Sequence, residues 1–260
     1  TDKAGIRNIG KIGVGCTIAD YDNDGDEDIV VTQATKGVLF SAYGFLPGDG
    51  SNVPIYPPDF FHTDKTDGKY NFPEEGGITL FKNNGSDNDG MPHFSDSTHG
   101  AGIVKSGNGT SANFADIDND GYVDLFVANY SDFDFAGFTA RHFGGQYNLL
   151  YRNNRNGTFS DITERTGLMG HKEYVYRTDK TKHYGWSLEQ KDSRGRAVGD
   201  PAGNTLAAAF HDFNNDSLPD LITADDIPGR VRLYKNLGNF KFADVSSENE
   251  FGLAGAWMGI

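Results

Sequence analysis

The sequence lacks several features that mark common classes of protein. It has a single cysteine, Cys16, which excludes an intrachain disulfide and a CxxC zinc pair. No window approaches about 18 consecutive apolar residues, so no transmembrane helix is predicted, and the first residues do not resemble a signal peptide. Cys16 lies in an apolar run with Val14 and Ile18, and we expect its thiol to be buried.

Basic residues are scarce relative to acidic ones. The chain carries 23 Lys and Arg against 37 Asp and Glu, a formal net charge of −14. A chain this acidic repels nucleic acids and anionic lipids, so neither is an expected partner and no membrane insertion is predicted. The sequence also has no nucleophile elbow, no phosphate-binding loop and no HExxH motif. We therefore predict a protein that is not an enzyme, with no catalytic residues.

What the sequence does contain is glycine, aromatic residues and an internal repeat. Its 34 glycines and 13% aromatic residues are typical of many short strands joined by tight turns. An acidic segment recurs at 17–31, 113–127 and 209–223, and its first Asp stands at 20, 116 and 212, a spacing of 96 residues both times. A Leu-aromatic-basic-Asn signature follows at 80–83, 150–153 and 233–236, and a Phe-x-Asp-x-Thr/Ser signature at 94–98, 159–163 and 242–246.

The repeat predicts an all-β fold. Each unit has four short apolar runs, which indicate four antiparallel strands, and such sheets repeated in a ring are the blades of a β-propeller. We predict blade 1 at about 10–98, blade 2 at about 104–163, blade 3 at about 203–246 and the start of a fourth at about 252–260. Because propellers close with about four to eight blades, further blades are expected from sequence outside this chain or from another chain.

The acidic segments predict metal sites. Side-chain oxygens stand at positions 1, 3, 5 and 9 of each loop, and a main-chain carbonyl is expected to bind at position 7. Hard oxygen ligands in a tight loop suit Ca²⁺, and their mutual repulsion calls for a cation. Up to three Ca²⁺ are predicted, the third more weakly held because Asn214 removes a charge and Ser217 replaces a glycine. The predicted ligands are Asp20, Asp22, Asp24, Asp26 and Asp28; Asp116, Asp118, Asp120, Tyr122 and Asp124; and Asp212, Asn214, Asp216, Leu218 and Asp220.

These loops allow two other interpretations. An EF-hand requires a glutamate at position 12 and flanking helices, whereas these loops have Val31, Val127 and Thr223 there and strand-like flanks. A solvated acidic turn remains the alternative, although three copies in register with the strand pattern favour a metal site.

The combined motifs resemble the FG-GAP/VCBS repeats of integrin α-subunits. The run DYDNDG at 20–25, followed later by LYRNN at 150–154 and GTFSDIT at 157–163, is similar above all to the cartilage-acidic-protein and ASPIC/UnbV group. The resemblance implies a propeller of seven blades with calcium in the loops. It also implies a secreted or cell-surface location, or a periplasmic or outer-membrane-associated one.

Long insertions interrupt the repeats at about 34–76, 131–146 and 169–202. The first is rich in aromatic residues, and residues 171–200 hold seven Lys and Arg against five Asp and Glu. Long loops in a compact fold often carry function. We expect an extracellular scaffold or adhesion module that binds protein partners, within a larger assembly. A carbohydrate-binding, lectin-like propeller is the alternative, and a propeller-type lyase or hydrolase is the third.

Overall fold

A computed structural model describes residues 3–6, 12–34, 77–103, 109–132, 144–145, 148–168, 205–225, 231–246 and 248. These residues form three four-stranded antiparallel sheets, and no α-helix occurs among them. The all-β prediction and the four-stranded units are therefore confirmed. Sheet 1 contains β1 (Ile12–Ala19), β2 (Asp28–Ala34), β3 (Gly77–Ser86) and β4 (Pro92–Asp96). Sheet 2 contains β5 (Gly109–Ala115), β6 (Asp124–Asn129), β9 (Leu149–Asn153) and β10 (Phe159–Asp161). Sheet 3 contains β11 (Thr205–His211), β12 (Asp220–Asp225), β13 (Val231–Asn236) and β14 (Phe242–Asp244).

Strand order follows chain order within each sheet, and a two-stranded ribbon of β7 (Ser131–Asp132) and β8 (Gly144–Gly145) adjoins sheet 2 in sequence. Most of the predicted insertions lie outside the described residues. In that part of the chain which the structure does describe, there is no apolar helix long enough to cross a membrane.

The acidic segments connect the first and second strands of each sheet. We call them loop 1 (20–28), loop 2 (116–124) and loop 3 (212–220). Each loop closes on an equivalent strand pair, and each first strand shifts register near its start, between Gly13 and Gly15 and at the two matching positions one repeat later. The loops join strands rather than helices, as the exclusion of an EF-hand predicted.

The Phe-x-Asp-x-Thr/Ser signature fastens the fourth strand to the third. Asp161 accepts hydrogen bonds from the main chain and hydroxyl of Thr163, at 2.9 and 2.6 Å. The same hydroxyl accepts the amide of Leu150 in the third strand at 2.9 Å. Thr98 in sheet 1 and Ser246 in sheet 3 make the equivalent bonds. The recurrence of this signature in the sequence therefore reflects a structural requirement.

Apolar side chains fill the space between consecutive sheets. One cluster lies between sheets 1 and 2 and includes Val30, Leu80, Leu125 and Tyr151, and the ring of Tyr21 in loop 1 stacks on Phe159 of sheet 2 at 5.5 Å. A second cluster lies between sheets 2 and 3 and comprises equivalent positions, among them Ile117, Phe126, Leu150, Leu221, Tyr234 and Phe242. Each sheet therefore packs face to face on the next.

A hydrogen bond between consecutive repeats recurs with the same partners. The side-chain amide of Asn153 in sheet 2 donates to the carbonyl of Tyr21 in loop 1 at 2.7 Å. One repeat later, the amide of Asn236 in sheet 3 donates to the carbonyl of Ile117 in loop 2 at 3.1 Å. The asparagine of the second signature therefore fixes each sheet to the acidic loop of the sheet before it.

The outer face of sheet 1 is apolar and uncovered by the described residues. Val14 and Ile18 are 45% and 58% exposed, whereas Ala112, at the position matching Cys16, is 5% exposed between two sheets. Cys16 itself is exposed, so the prediction of a buried thiol is wrong for the described structure. Cys16 does lie on the apolar face of its strand with Val14 and Ile18, but that face has no described sheet packed against it.

Candidate metal centre

The first aspartate of each loop folds the loop around its own carboxylate. Asp20 accepts the main-chain amides of Asp24 and Gly25 at 3.1 and 2.9 Å. Asp116 and Asp212 accept the equivalent pairs of amides. Positions 4 and 6 of each loop then have positive φ, a conformation that asparagine and glycine adopt most readily. In loop 3 the residue at position 6 is Ser217, with a φ of 70° and a Cβ that makes this conformation costly.

The aspartate at position 9 of each loop is buried and bonds the loop to the third strand. Asp124 accepts the amide of Asn153 at 2.8 Å and that of Ile117 at 3.1 Å. Asp28 and Asp220 are equally buried and accept the amides of Asn83 and Asn236. Burial raises the pKa of Asp124 to about 7 and that of Asp28 to about 6, despite the amide bonds that favour the charged form.

In loops 1 and 2, the aspartate at position 3 has a carboxylate oxygen without a hydrogen-bond partner. Asp22 Oδ1 and Asp118 Oδ1 are buried atoms with no hydrogen-bond donor. Each belongs to a group of three carboxylates whose ligand atoms lie within 4.8 Å of one another: Asp20, Asp22 and Asp28 in loop 1, and Asp116, Asp118 and Asp120 in loop 2. A buried anionic oxygen without a donor is costly unless a cation meets it, so these residues fit a metal ion.

The structure does not bring all predicted ligands into these groups. Asp24 and Asp124 lie beside their groups rather than in them. The position-7 residues Asp26, Tyr122 and Leu218 each donate an amide to the aspartate at position 5, at 3.0 to 3.1 Å. This bond closes the middle of the loop, and binding by the carbonyls of these residues remains a prediction.

Loop 3 differs from the other two. The side-chain amide of Asn214 donates to Asp220 Oδ2 at 2.9 Å, so a donor stands where the other loops have an unpartnered carboxylate oxygen. Asn214 is exposed, whereas Asp22 and Asp118 are largely covered. Of the groups of three acidic side chains found among the described residues, none comes from loop 3.

The following sheet covers loops 1 and 2. A Cβ on Gly157, in the β9–β10 turn of sheet 2, would lie 3.8 Å from Asp22 Cβ. Phe240, in the β13–β14 turn of sheet 3, lies 5.2 Å below the guanidinium of Arg152, which itself bonds Asp118 in loop 2. No described sheet follows loop 3, which explains why Asn214 remains exposed.

Basic side chains beside the loops escaped the prediction of site residues. Lys82 bonds Asp22 and, at 2.9 Å, Asp24. Burial lowers the pKa of Lys82, but its hydrogen bonds to the two aspartates outweigh this and raise the pKa above its ordinary value. Arg155 bonds Asp120 at 2.6 Å. The sequence did contain a signal for part of this set, because the third position of the second signature is basic in all three repeats: Lys82, Arg152 and Lys235.

The arrangement can bind a hard cation through oxygens alone. No sulfur or imidazole ligand belongs to either group, and oxygen-only sites suit Ca²⁺, Mg²⁺ or Mn²⁺ rather than zinc or copper. In comparisons with known proteins, neither the protein-family models nor the curated proteins give a match to this chain.

Proposed function

We propose that this chain is a calcium-binding, non-enzymatic part of a β-propeller of the FG-GAP/VCBS type, and that it serves outside the cell as a scaffold for protein partners. One observation carries the proposal. The same acidic loop joins the first two strands of a four-stranded sheet three times, and in loops 1 and 2 it gathers three carboxylates around an unpartnered oxygen.

The propeller rests on the recurrence of contacts between sheets. The step from sheet 1 to sheet 2 and the step from sheet 2 to sheet 3 use equivalent apolar clusters and the same asparagine-to-carbonyl bond. A step that repeats identically generates a ring when its rotation closes and an open helix when it does not, and we propose that it closes here into a ring of blades. The exposed apolar face of sheet 1 corresponds to the face that sheet 2 turns toward sheet 1. We propose that further sheets of the same kind cover it.

Calcium is proposed over the other hard cations because the loops offer several carboxylates in an adaptable turn. Calcium accepts six to eight oxygens at variable geometry, whereas Mg²⁺ requires a near-ideal octahedron and retains water. The proposed role of the ion is structural. It neutralises carboxylates that fold the β1–β2 and β5–β6 connections, and binding to the native state alone stabilises that state.

The partner and the location rest on the resemblance of the repeats. Calcium modules outside cells bind the ion with Kd values of about 10⁻⁴ to 10⁻³ M, which sites of three carboxylates can provide.

The long segments 35–76 and 133–143 leave sheets 1 and 2 from the strand ends opposite the acidic loops, since they follow the second strands. We propose that partners bind at that end. Among the described residues, no observation favours a glycan or a substrate over a protein.

Thermal unfolding with and without calcium tests the proposal. A calcium concentration one hundred times the Kd contributes about 2.7 kcal/mol per site, which raises the Tm of a chain of this size by roughly 5–10 °C. We expect that rise with CaCl₂, a smaller one with MgCl₂, and its reversal by chelator. Calorimetric titration should show two sites, reduced to one in each of Asp22→Asn and Asp118→Asn. An unchanged Tm together with no measurable binding heat would refute the calcium role.

A further inference from the structure

The third strand of each sheet directs a cation at the acidic loop of its own sheet. In sheet 1, Lys82 follows Phe81 on β3, and its ammonium bonds Asp22 and Asp24 in loop 1. Both carboxylates are predicted ligands, and Asp22 carries the unpartnered Oδ1. The ammonium therefore bonds a carboxylate that a metal ion in loop 1 would also bind.

The same arrangement recurs in sheet 2 with a different cation. Arg152 Nη2 lies 3.3 Å from Asp118 Oδ2 and 3.9 Å from Asp120 Oδ2. Its guanidinium rests on the ring of Phe240 from sheet 3, which limits how far it can move away. In sheet 3, Lys235 lies 3.4 Å from Asp216. Three matching contacts in three repeats indicate a property of the repeat rather than an incidental ion pair.

An ammonium and a divalent cation on the same carboxylates oppose each other. Each oxygen that already accepts from the ammonium attracts the metal less, and the two positive charges repel at short range. The amine also supplies counter-charge to loop 1, which holds five aspartates and one glutamate. The second effect acts before any metal binds.

We propose that the basic residue at the third position of the second signature, Lys82 in sheet 1 and Arg152 in sheet 2, is an internal counter-cation that holds the acidic loop folded without metal and competes with the divalent ion for its carboxylates. This inference rests on the proposed calcium function and goes beyond it, because it makes metal affinity a property of the third strand. Metal binding then requires displacing or shifting the cation, so the sites fill at higher calcium concentrations than their carboxylates alone would need.

Lys82→Met tests this directly. It removes the charge but keeps most of the side-chain length, and Lys82→Arg restores the charge. Lys241→Met is the matched control, because it removes one positive charge from a position that bonds a main-chain carbonyl and no loop carboxylate. Calcium titration of each full chain by calorimetry, after chelator treatment, gives the Kd of loop 1. We expect about tenfold tighter binding for Lys82→Met, and wild-type binding for Lys82→Arg and Lys241→Met.

A second measurement separates competition from plain structural support. The Tm in chelator should fall in Lys82→Met, while the Tm at saturating calcium should match that of the wild type. A lysine with only a structural role would lower both. Calcium binding by Lys82→Met where the wild type shows none would support the proposal. An unchanged or weaker Kd in Lys82→Met, with calcium still bound by the wild type, would overturn this inference alone. Absence of binding in every variant would overturn both it and the calcium function.

Discussion

The aspartates of one acidic loop have different tasks, although the sequence presents them as equivalent. Asp20 and Asp28 accept main-chain amides and so fold the loop, whereas Asp22 keeps an oxygen free for a ligand. The aspartate at position 9 is the least solvated of these carboxylates, because Asp28 is fully buried and Asp124 nearly so. Proton binding at these residues should therefore influence stability when no metal is present.

The raised pKa values of Asp28 and Asp124 predict a pH dependence in the metal-free protein. Both values, about 6 and about 7, lie above the ~3.9 of an unfolded aspartate. The folded state therefore binds more protons, and the stability from these groups is complete below pH ~4 and is lost as pH rises through 6 and 7. In chelator, we expect the free energy of unfolding to fall by roughly 1–3 kcal/mol per group between pH 5 and pH 8. The Tm should fall over the same range.

Asp124→Asn is the control for this pH dependence: the asparagine side chain has no proton to lose in that range, so the variant should show a smaller fall in Tm, with the contribution of Asp28 remaining. Asp24 and Asp120 act in the opposite direction at lower pH, since hydrogen bonds from Lys82 and Arg155 hold their pKa values below the ordinary one. A Tm in chelator that rises from pH 5 to pH 8 would contradict the assignment of the two buried carboxylates.

Residue types and spacing were sufficient to predict which loops gather carboxylates, but not which atoms are free. A weaker third site remains a prediction from Asn214 and Ser217, and in the structure the side-chain amide of Asn214 donates a hydrogen bond to Asp220. The cations Lys82 and Arg152 were not predicted, because they lie far from the loops along the chain and only the pairing of strands brings them near.

At the scale of elements, a glycine that precedes each sheet packs against the fourth strand of that sheet. Phe159 donates its amide to the carbonyl of Ala101 at 2.7 Å, and the neighbouring Gly102 has a φ of 76°. A Cβ on Gly102 would lie 2.8 Å from the carbonyl oxygen of Phe159, closer than a Cβ can approach. Gly5 against Phe94 and Gly167 against Phe242 repeat this contact. The connection between sheets therefore requires glycine for space as well as for conformation.

Gly102→Ala should destabilise the chain more than Gly90→Ala. Gly90 has a φ of 75°, and no atom lies within 4 Å of the point that an alanine Cβ would occupy, so alanine there incurs only the left-handed conformation, about 1–2 kcal/mol. At Gly102 the same cost combines with a main-chain clash, and we expect a total of about 3 kcal/mol or more. Urea unfolding of both variants measures the difference. An equal decrease in the free energy of unfolding for the two variants would show that the main chain around Gly102 shifts to accept a Cβ at no added cost.

Strand positions were predictable from the recurring signatures, since all three sheets fall where four apolar runs were found. The role of the third signature was not. Asp161, the last residue of β10, and Thr163 form a hydrogen-bonded corner that holds the third strand at Leu150. A side chain that bonds another strand's main chain leaves no periodic pattern in the sequence.

At the scale of the whole molecule, the two faces of the stacked sheets are unequal. Ile18 on the outer face of sheet 1 is exposed, while Phe114, at the matching position of sheet 2, packs against the cluster between sheets 1 and 2. The sequence has an apolar residue at both positions, but the pattern of apolar residues does not show which face of a sheet another sheet covers. The exposure of Cys16 has the same origin.

Ile18→Ala and Phe114→Ala should therefore differ in this chain. Removing the Phe114 ring takes apolar area out of an interface and should cost about 2–4 kcal/mol, whereas Ile18→Ala should change the free energy of unfolding by less than about 0.5 kcal/mol. Chemical unfolding of the two variants provides the comparison. A comparable loss at Ile18 would mean that a second copy or another segment already covers the outer face of sheet 1.

The acidic loops are also connected to one another. The side-chain amide of Asn23 donates to the carbonyl of Gly121 at 3.0 Å, and that of Asn119 donates to the carbonyl of Ser217 at 2.7 Å. These bonds set a constant distance between neighbouring loops, so one added or deleted residue in any loop would break the row. At the opposite strand ends no such bond between loops is described, and there the chain already accommodates long segments. The two long segments both follow the second strand of a sheet, so new recognition sequences could be inserted between Ala34 and Gly77, away from the rim that carries the acidic loops.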